Sequence, residues 1–175
     1  CMSPCSPTSH YIGCLGRELH VTAWGEPDGP VLVAWHGLAR TGRDMDELAE
    51  HLSPRYRVIC PDTLGRGLSQ WAADPATEYC LAHYATLATG LVNHLGLDRM
   101  AWLGTSMGGA IGLVAAATSL RGRITRLALN DIGPSIAPAA VVSLRIFAGS
   151  LAGPTMTKSL YITSRRSTPK PCAIN

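Results

Sequence analysis

MAWLGTSMGGAIGLVAAA, residues 100–117, is the stretch from which the rest of the chain is read. It opens as a short apolar strand, Met100–Leu103, and closes as a helix of small residues, Met107–Ala117. Between them, Gly104-Thr105-Ser106-Met107-Gly108 fits G-x-S-x-G. A strand that turns directly into a helix forces the corner residue into a strained conformation. Glycine on either side lets neighbouring backbone pass closely. Ser106 is therefore expected to project its hydroxyl at the carboxyl end of a sheet. There the first N–H groups of the helix, that of Met107 included, are free to face a developing oxyanion. The alternative at this point is a glycine-rich turn whose serine is an N-cap.

The flanking sequence supplies the frame. Glu18–Trp24 alternates as a half-buried strand would, and Pro30–Trp35 is a continuous apolar run of the kind found in a strand covered on both faces. Asp44–Leu52 reads as a short helix with an acidic first turn, and Tyr56–Cys60 as a buried strand stopped by Pro61. Leu81, Tyr84, Leu87, Leu91 and Leu95 recur at three- and four-residue steps, which predicts a helix over Glu78–Leu95 with one apolar face. Gly96 stands where a C-terminal cap belongs. Ile124–Leu129 is one more strand. Strands alternating with helices imply right-handed crossovers, hence an α/β fold with a mostly parallel sheet and helices on both faces. The expected organisation is an N-terminal tail over residues 1–16, a core over 17–149, and a divergent, unstructured tail over 150–175.

Two further motifs surround the serine. His36-Gly37-Leu38 follows the strand ending at Trp35, and the glycine permits a sharp turn that aims the Leu38 N–H across the pocket as a second oxyanion donor. His36 itself reads as a loop brace in preference to a base. Asp62-Thr63-Leu64-Gly65-Arg66-Gly67-Leu68-Ser69 reads as a tight turn carrying side-chain to backbone hydrogen bonds, with an architectural role.

These residues resemble the α/β-hydrolases, in the esterase-like branch that carries HG, D-x-x-G-x-G-x-S and G-x-S-x-G-G in this order. The three motifs stand here at His36-Gly37, Asp62–Ser69 and Gly104–Gly109, and Asn130-Asp131-Ile132-Gly133-Pro134 adds to the likeness over about residues 11–148. The resemblance implies hydrolysis of a carboxylic ester or related acyl substrate through an acyl-Ser106 intermediate. It implies Leu38 and Met107 as oxyanion donors, His36, Gly37, Gly104 and Gly108 as supporting positions, and neither cofactor nor metal. Against the family pattern, all six histidines, at 10, 20, 36, 51, 83 and 94, precede Ser106. The family order of Ser, acid, His therefore has no histidine to complete it, which reads as a fold lacking its last strands and lid. Asp131 is the one candidate acid, and its alternative is a turn-forming residue before Gly133-Pro134. Impaired hydrolysis is the expectation, with Ser106 as the sole site for a phosphonate adduct. A catalytically silent small-ligand binding protein and an acyltransferase are the other readings.

Charge and composition bound the remaining possibilities. Residues 1–131 hold ten Arg, no Lys and all twelve acids, a net of −2; residues 132–175 hold five basic residues and no acid, which together make the overall +3. The basic tail is interleaved with Ser, Thr and Pro and carries no nucleic-acid motif, so a nucleic-acid partner is not expected. An aberrant end, such as a shifted reading frame, is expected from about residue 149. The longest run of apolar or Gly residues, Met107–Ala117, is 11 residues, against about 20 for a membrane span. No secretory signal is legible, so no membrane partner and a cytoplasmic location are the expectations. The six cysteines lack metal-site or paired spacing and read as free thiols. Ending the sheet at Ile124–Leu129 leaves an apolar edge, from which self-association is expected.

Overall fold

A computed structural model describes residues 6–132. Six strands pair into one sheet: β1 Thr8–Cys14, β2 Arg17–Trp24, β3 Val31–Trp35, β4 Arg57–Pro61, β5 Met100–Thr105 and β6 Ile124–Asn130, in the spatial order β1-β2-β4-β3-β5-β6. Strands β4, β3, β5 and β6 run parallel, whereas β1 and β2 form an antiparallel hairpin whose second strand pairs antiparallel to β4. The chain crosses over through α1 Asp46–Leu52, α3 Leu81–His94 and α4 Met107–Ala117, with a one-turn helix α2 Pro75–Glu78 ahead of α3.

Two apolar layers sandwich the sheet. On one side α3 and α4 bury Tyr84, Leu87, Leu91 and Ile111 against Leu19, Val33, Ile59 and Trp102. On the other, α1 buries Ala49, with Met45 before it, against Trp24, Leu32, Ala34 and Val58. The Trp35 and Trp102 rings stack at 5.3 Å between centroids and 12° between planes, which ties β3 to β5 directly beneath Ser106. This mostly parallel sheet with helices on both faces is the architecture that the alternating pattern predicts.

The structure departs from the sequence reading in four places. Residues set aside as an N-terminal tail include β1, which lies in register with β2 from Thr8 opposite Ala23 to Cys14 opposite Arg17. Its apolar signal is limited to Ile12 and Cys14, because an edge strand buries only one face. Strand β2 is buried on both faces from Leu19 to Trp24, not half-buried, because its polar His20 and Thr22 are themselves enclosed. The single helix expected over Glu78–Leu95 is broken at Tyr79 and Cys80, where Cys80 is extended at φ −136° and ψ 158°. Leu81, assigned to the apolar face, is accordingly exposed. Helix α1 begins later than expected, after a 3-10 turn over Gly42–Met45. Gly96 does adopt the left-handed conformation of a helix stop, at φ +63°. The expectations for Gly133-Pro134 and for the tail over 150–175 lie outside the described residues.

Candidate active site

Ser106 occupies the corner between β5 and α4 at φ +50° and ψ −112°, outside the ordinary regions for an L-residue. Packing holds it there. A Cβ on Gly104 would sit 2.3 Å from the Gly108 carbonyl, and one on Gly108 would sit 2.2 Å from the Trp35 carbonyl oxygen. Both are below any real contact, so glycine is required where the strand, the corner and β3 crowd together. The corner is also pinned by hydrogen bonds: the Ser106 N–H donates to the Asn130 carbonyl at 2.8 Å, and the Gly109 and Ala110 N–H groups return to the Ser106 carbonyl at 3.0 and 3.1 Å. The Trp102 indole N–H donates to the Gly108 carbonyl at 3.1 Å. The side chain is left alone. Ser106 is exposed, and its Oγ has no hydrogen-bond partner among the described residues.

The His36-Gly37-Leu38 loop lies against this corner. A Cβ on Gly37 would meet the Thr105 carbonyl oxygen at 3.7 Å and the Ser106 Cβ at 3.8 Å. Among the described residues, the N–H groups of Leu38 and Met107 have no hydrogen-bond partner. His36 is fully buried with both ring nitrogens engaged. Its Nδ1 faces the Gly37 carbonyl at 2.7 Å and must carry the proton, because a carbonyl only accepts. Its Nε2 accepts from the Thr63 N–H at 2.9 Å. Burial pushes the His36 imidazolium to lower pKa, so the ring is a neutral brace between two loops and has no lone pair to spare for Ser106.

The turn from Asp62 to Ser69 is held from within. Asp62 Oδ1 accepts from the Gly42 N–H at 2.6 Å, Oδ2 accepts from the Leu68 N–H at 2.9 Å, and the Ser69 hydroxyl donates to the Asp62 carbonyl at 2.7 Å. Gly67 approaches so closely that a Cβ would meet the Asp62 carboxylate at 2.2 Å. A positioning role for Arg66 in this turn was not read from the sequence. Its Nε donates to the Leu38 carbonyl at 2.9 Å, one Nη donates to the Leu64 carbonyl and the Tyr84 hydroxyl, and the guanidinium lies 5.6 and 5.8 Å from the Tyr79 and Tyr84 ring centroids. Arg66 thus fixes the peptide that follows Leu38. The available signal was its place between two glycines, beside the loop it had to reach.

Asp131 follows β6 directly, at φ +51°, and is exposed. Its neighbour Asn130 carries the carbonyl that takes the Ser106 N–H. The structure therefore places Asp131 next to the elbow, with no histidine bonded to it among the described residues. The described histidines lie elsewhere: His20 against Asp62, His36 in its brace, His83 near Glu78, His10 and His51 exposed, and His94 ending α3. A hollow of about 410 Å³ opens at β1, β2, β4 and the end of α3, lined by Ile12, Val21, Arg57 and His94 among others, and is remote from the serine.

Comparison with known proteins agrees with this fold. The family model described as the alpha/beta hydrolase fold matches residues 30–149. The chain belongs to the α/β-hydrolase family. A 3-hydroxybutyrate-oligomer hydrolase of Cupriavidus necator is 42% identical over 149 residues, which is 82% of this chain and 50% of that protein. A pimeloyl-[acyl-carrier protein] methyl ester esterase of Xanthomonas oryzae pv. oryzae is 36% identical over 101 residues, 57% of this chain and 36% of the esterase. An α/β-hydrolase of Novosphingobium aromaticivorans superposes with a TM-score of 0.69 at 33% identity, covering 83% of this chain and 51% of that one. This α/β-hydrolase chain thus spans about half or less of the length of these three relatives. The relatives named are hydrolases and esterases, so the family resemblance is to enzymes.

Proposed function

We propose that Ser106 is the nucleophile of an ester hydrolase whose substrates are short hydroxyalkanoate esters. One observation carries this reading: an exposed Ser106 hydroxyl stands at a strained corner beside the Leu38 and Met107 N–H groups, all three without a partner among the described residues. The substrate class rests on the likeness to the Cupriavidus necator hydrolase across most of this chain. In the proposed step Ser106 Oγ bonds to the ester carbonyl carbon, the bond to the leaving alcohol breaks, and the serine proton passes to that alcohol. The carbonyl oxygen gains charge in the tetrahedral intermediate and takes the two N–H bonds there. Water then cleaves the acyl-Ser106 ester. Asp131 is proposed as the acid that would orient a base.

The 175-residue sequence holds no histidine after Ser106, and none of the described histidines bonds its hydroxyl. Turnover by this chain alone is proposed to be the residual that an oxyanion hole and binding provide without a complete triad, about 10³–10⁴ over the uncatalysed rate. The test is fluorophosphonate labelling mapped by peptide mass, together with release of 3-hydroxybutyrate from its oligomers, in wild type and Ser106→Ala. Label on the peptide bearing Ser106, and turnover lost in the variant, are expected. Turnover that persists in Ser106→Ala would overturn the assignment.

A further inference from the structure

The elbow leaves one other serine-bearing arrangement unused. Ser9 Oγ lies 2.6 Å from His20 Nε2, and His20 Nδ1 lies 2.9 Å from Asp62 Oδ2. Strands β1 and β2 bring this about: Ser9 pairs with Thr22, so His20 is its diagonal neighbour on the same face of the hairpin. Strand β4 ends at Pro61, and the next residue, Asp62, donates its N–H to the His20 carbonyl at 2.8 Å. His20 and Asp62 are 3% and 2% exposed, whereas Ser9 faces solvent.

Chemistry fixes the proton positions. The Asp62 carboxylate also accepts two backbone N–H groups, from Gly42 and Leu68. A carboxylate only accepts, so the proton lies on His20 Nδ1. In the neutral ring, Nε2 then presents its lone pair to the Ser9 hydroxyl. That is the hydroxyl, imidazole and carboxylate order of an activated serine, with the base oriented by a third group.

We propose that Ser9 is a second nucleophile of this chain, an acyl acceptor for activated esters that works independently of Ser106. Ser9 Oγ bonds to the carbonyl carbon of an aryl ester as the bond to the phenolate breaks. The Ser9 proton passes to His20 Nε2 and then to the departing phenolate, while Asp62 stabilises the transient imidazolium. β1 is the sheet edge and offers single outward N–H groups, not a convergent pair. One missing oxyanion donor slows acyl transfer about 10²- to 10³-fold, so Ser9 is expected to acylate slowly and to be seen best as a stable adduct.

Two other hydroxyls are internal controls. Thr8 bonds His10 at 2.9 Å, but that imidazole has no carboxylate partner among the described residues; Ser119 is exposed and bonds only the Thr89 hydroxyl. The experiment treats the full chain carrying Ser106→Ala with p-nitrophenyl acetate and locates acetyl groups by peptide fragmentation. Acetylation of Ser9 about 10²-fold faster than of Ser119, the scale of general-base assistance, is expected, with Thr8 not exceeding Ser119. Ser9→Ala in the same background should remove that adduct, and His20→Gln should lower Ser9 to the Ser119 rate. Should His20→Gln melt below the assay temperature, the ratio of Ser9 to Ser119 in Ser106→Ala decides. Equal acetylation of the two serines, or none at Ser9 in the folded chain, overturns the proposal.

Discussion

Two corners at the carboxyl end of the sheet are built from the same residue types, glycines around a serine, and have opposite outcomes. In the Asp62–Ser69 turn every named polar group is matched: Ser69 donates to the Asp62 carbonyl and accepts from the His20 N–H, and the Asp62 carboxylate takes three partners. In the Gly104–Gly109 corner the backbone is equally crowded, but Ser106 Oγ and the Leu38 and Met107 N–H groups have no partner among the described residues. Buried polar groups normally find partners within a fold, as in the Asp62–Ser69 turn, whereas the solvent-facing Ser106 corner leaves its groups available to a ligand. Satisfaction marks the scaffold, and unmatched groups under close packing mark the candidate site.

The largest effect should come from closing the crowded corner. Gly108→Ala puts a Cβ on the Trp35 carbonyl, and neither backbone can yield without moving β3 from β5. A loss beyond the ~3 kcal/mol of ordinary overpacking is expected, enough to abolish a cooperative melt. A folded Gly108→Ala protein would show the corner to be looser than drawn.

Next is the satisfied turn. Asp62→Ala strips the Gly42 and Leu68 N–H groups and His20 of their shared acceptor, a loss of about 3–5 kcal/mol by analogy with breaking one partner of a buried pair. Urea denaturation would measure it, and a change under 1 kcal/mol would erase the distinction between the two corners.

Smaller and opposite in sign is the response at the two serines. Ser106→Gly should stabilise the chain by about 1 kcal/mol, since it relieves a positive φ worth roughly 1–3 kcal/mol at some cost in glycine entropy. Ser69→Gly should destabilise it by about 1–2 kcal/mol through two lost hydrogen bonds. Two changes of the same sign would break the comparison.

The smallest effect is confined to acid. Arg17 grips Glu78 with two bonds of 2.7 Å, and this hydrogen bonding, with the Asp74 and Ala73 N–H groups, holds the Glu78 carboxyl down at about 2 against an ordinary 4.5. A carboxyl with a depressed folded-state value stabilises fully above pH 4.5 and loses that contribution as pH falls through about 2. Melting temperature followed across that window should fall less steeply in Glu78→Gln than in wild type. Parallel curves would count against the clamp between α2 and β2.

The sequence by itself determined what depends on near neighbours. The elbow, its glycines, helix α4, the stop at Gly96 and the parallel core were legible, because a strand run, a corner and a helix are encoded within a few residues of one another. Strand β1 was not, since Thr8–Cys14 buries little beyond Ile12 and Cys14 and acquires its identity only from pairing with β2. The break at Tyr79 and Cys80 was hidden by a helical period that runs through it. Tertiary structure alone decided which polar groups meet. Ser9 and His20 lie on two strands and Asp62 just after a third, and Arg66 reaches Leu38 across 28 positions of chain. Such contacts have no local signature, because the sheet creates them by setting distant strands about 4.8 Å apart. The same reason separates Ser106 from Ser69: both follow glycines in sequence, and only the packing around them leaves one hydroxyl without a partner among the described residues.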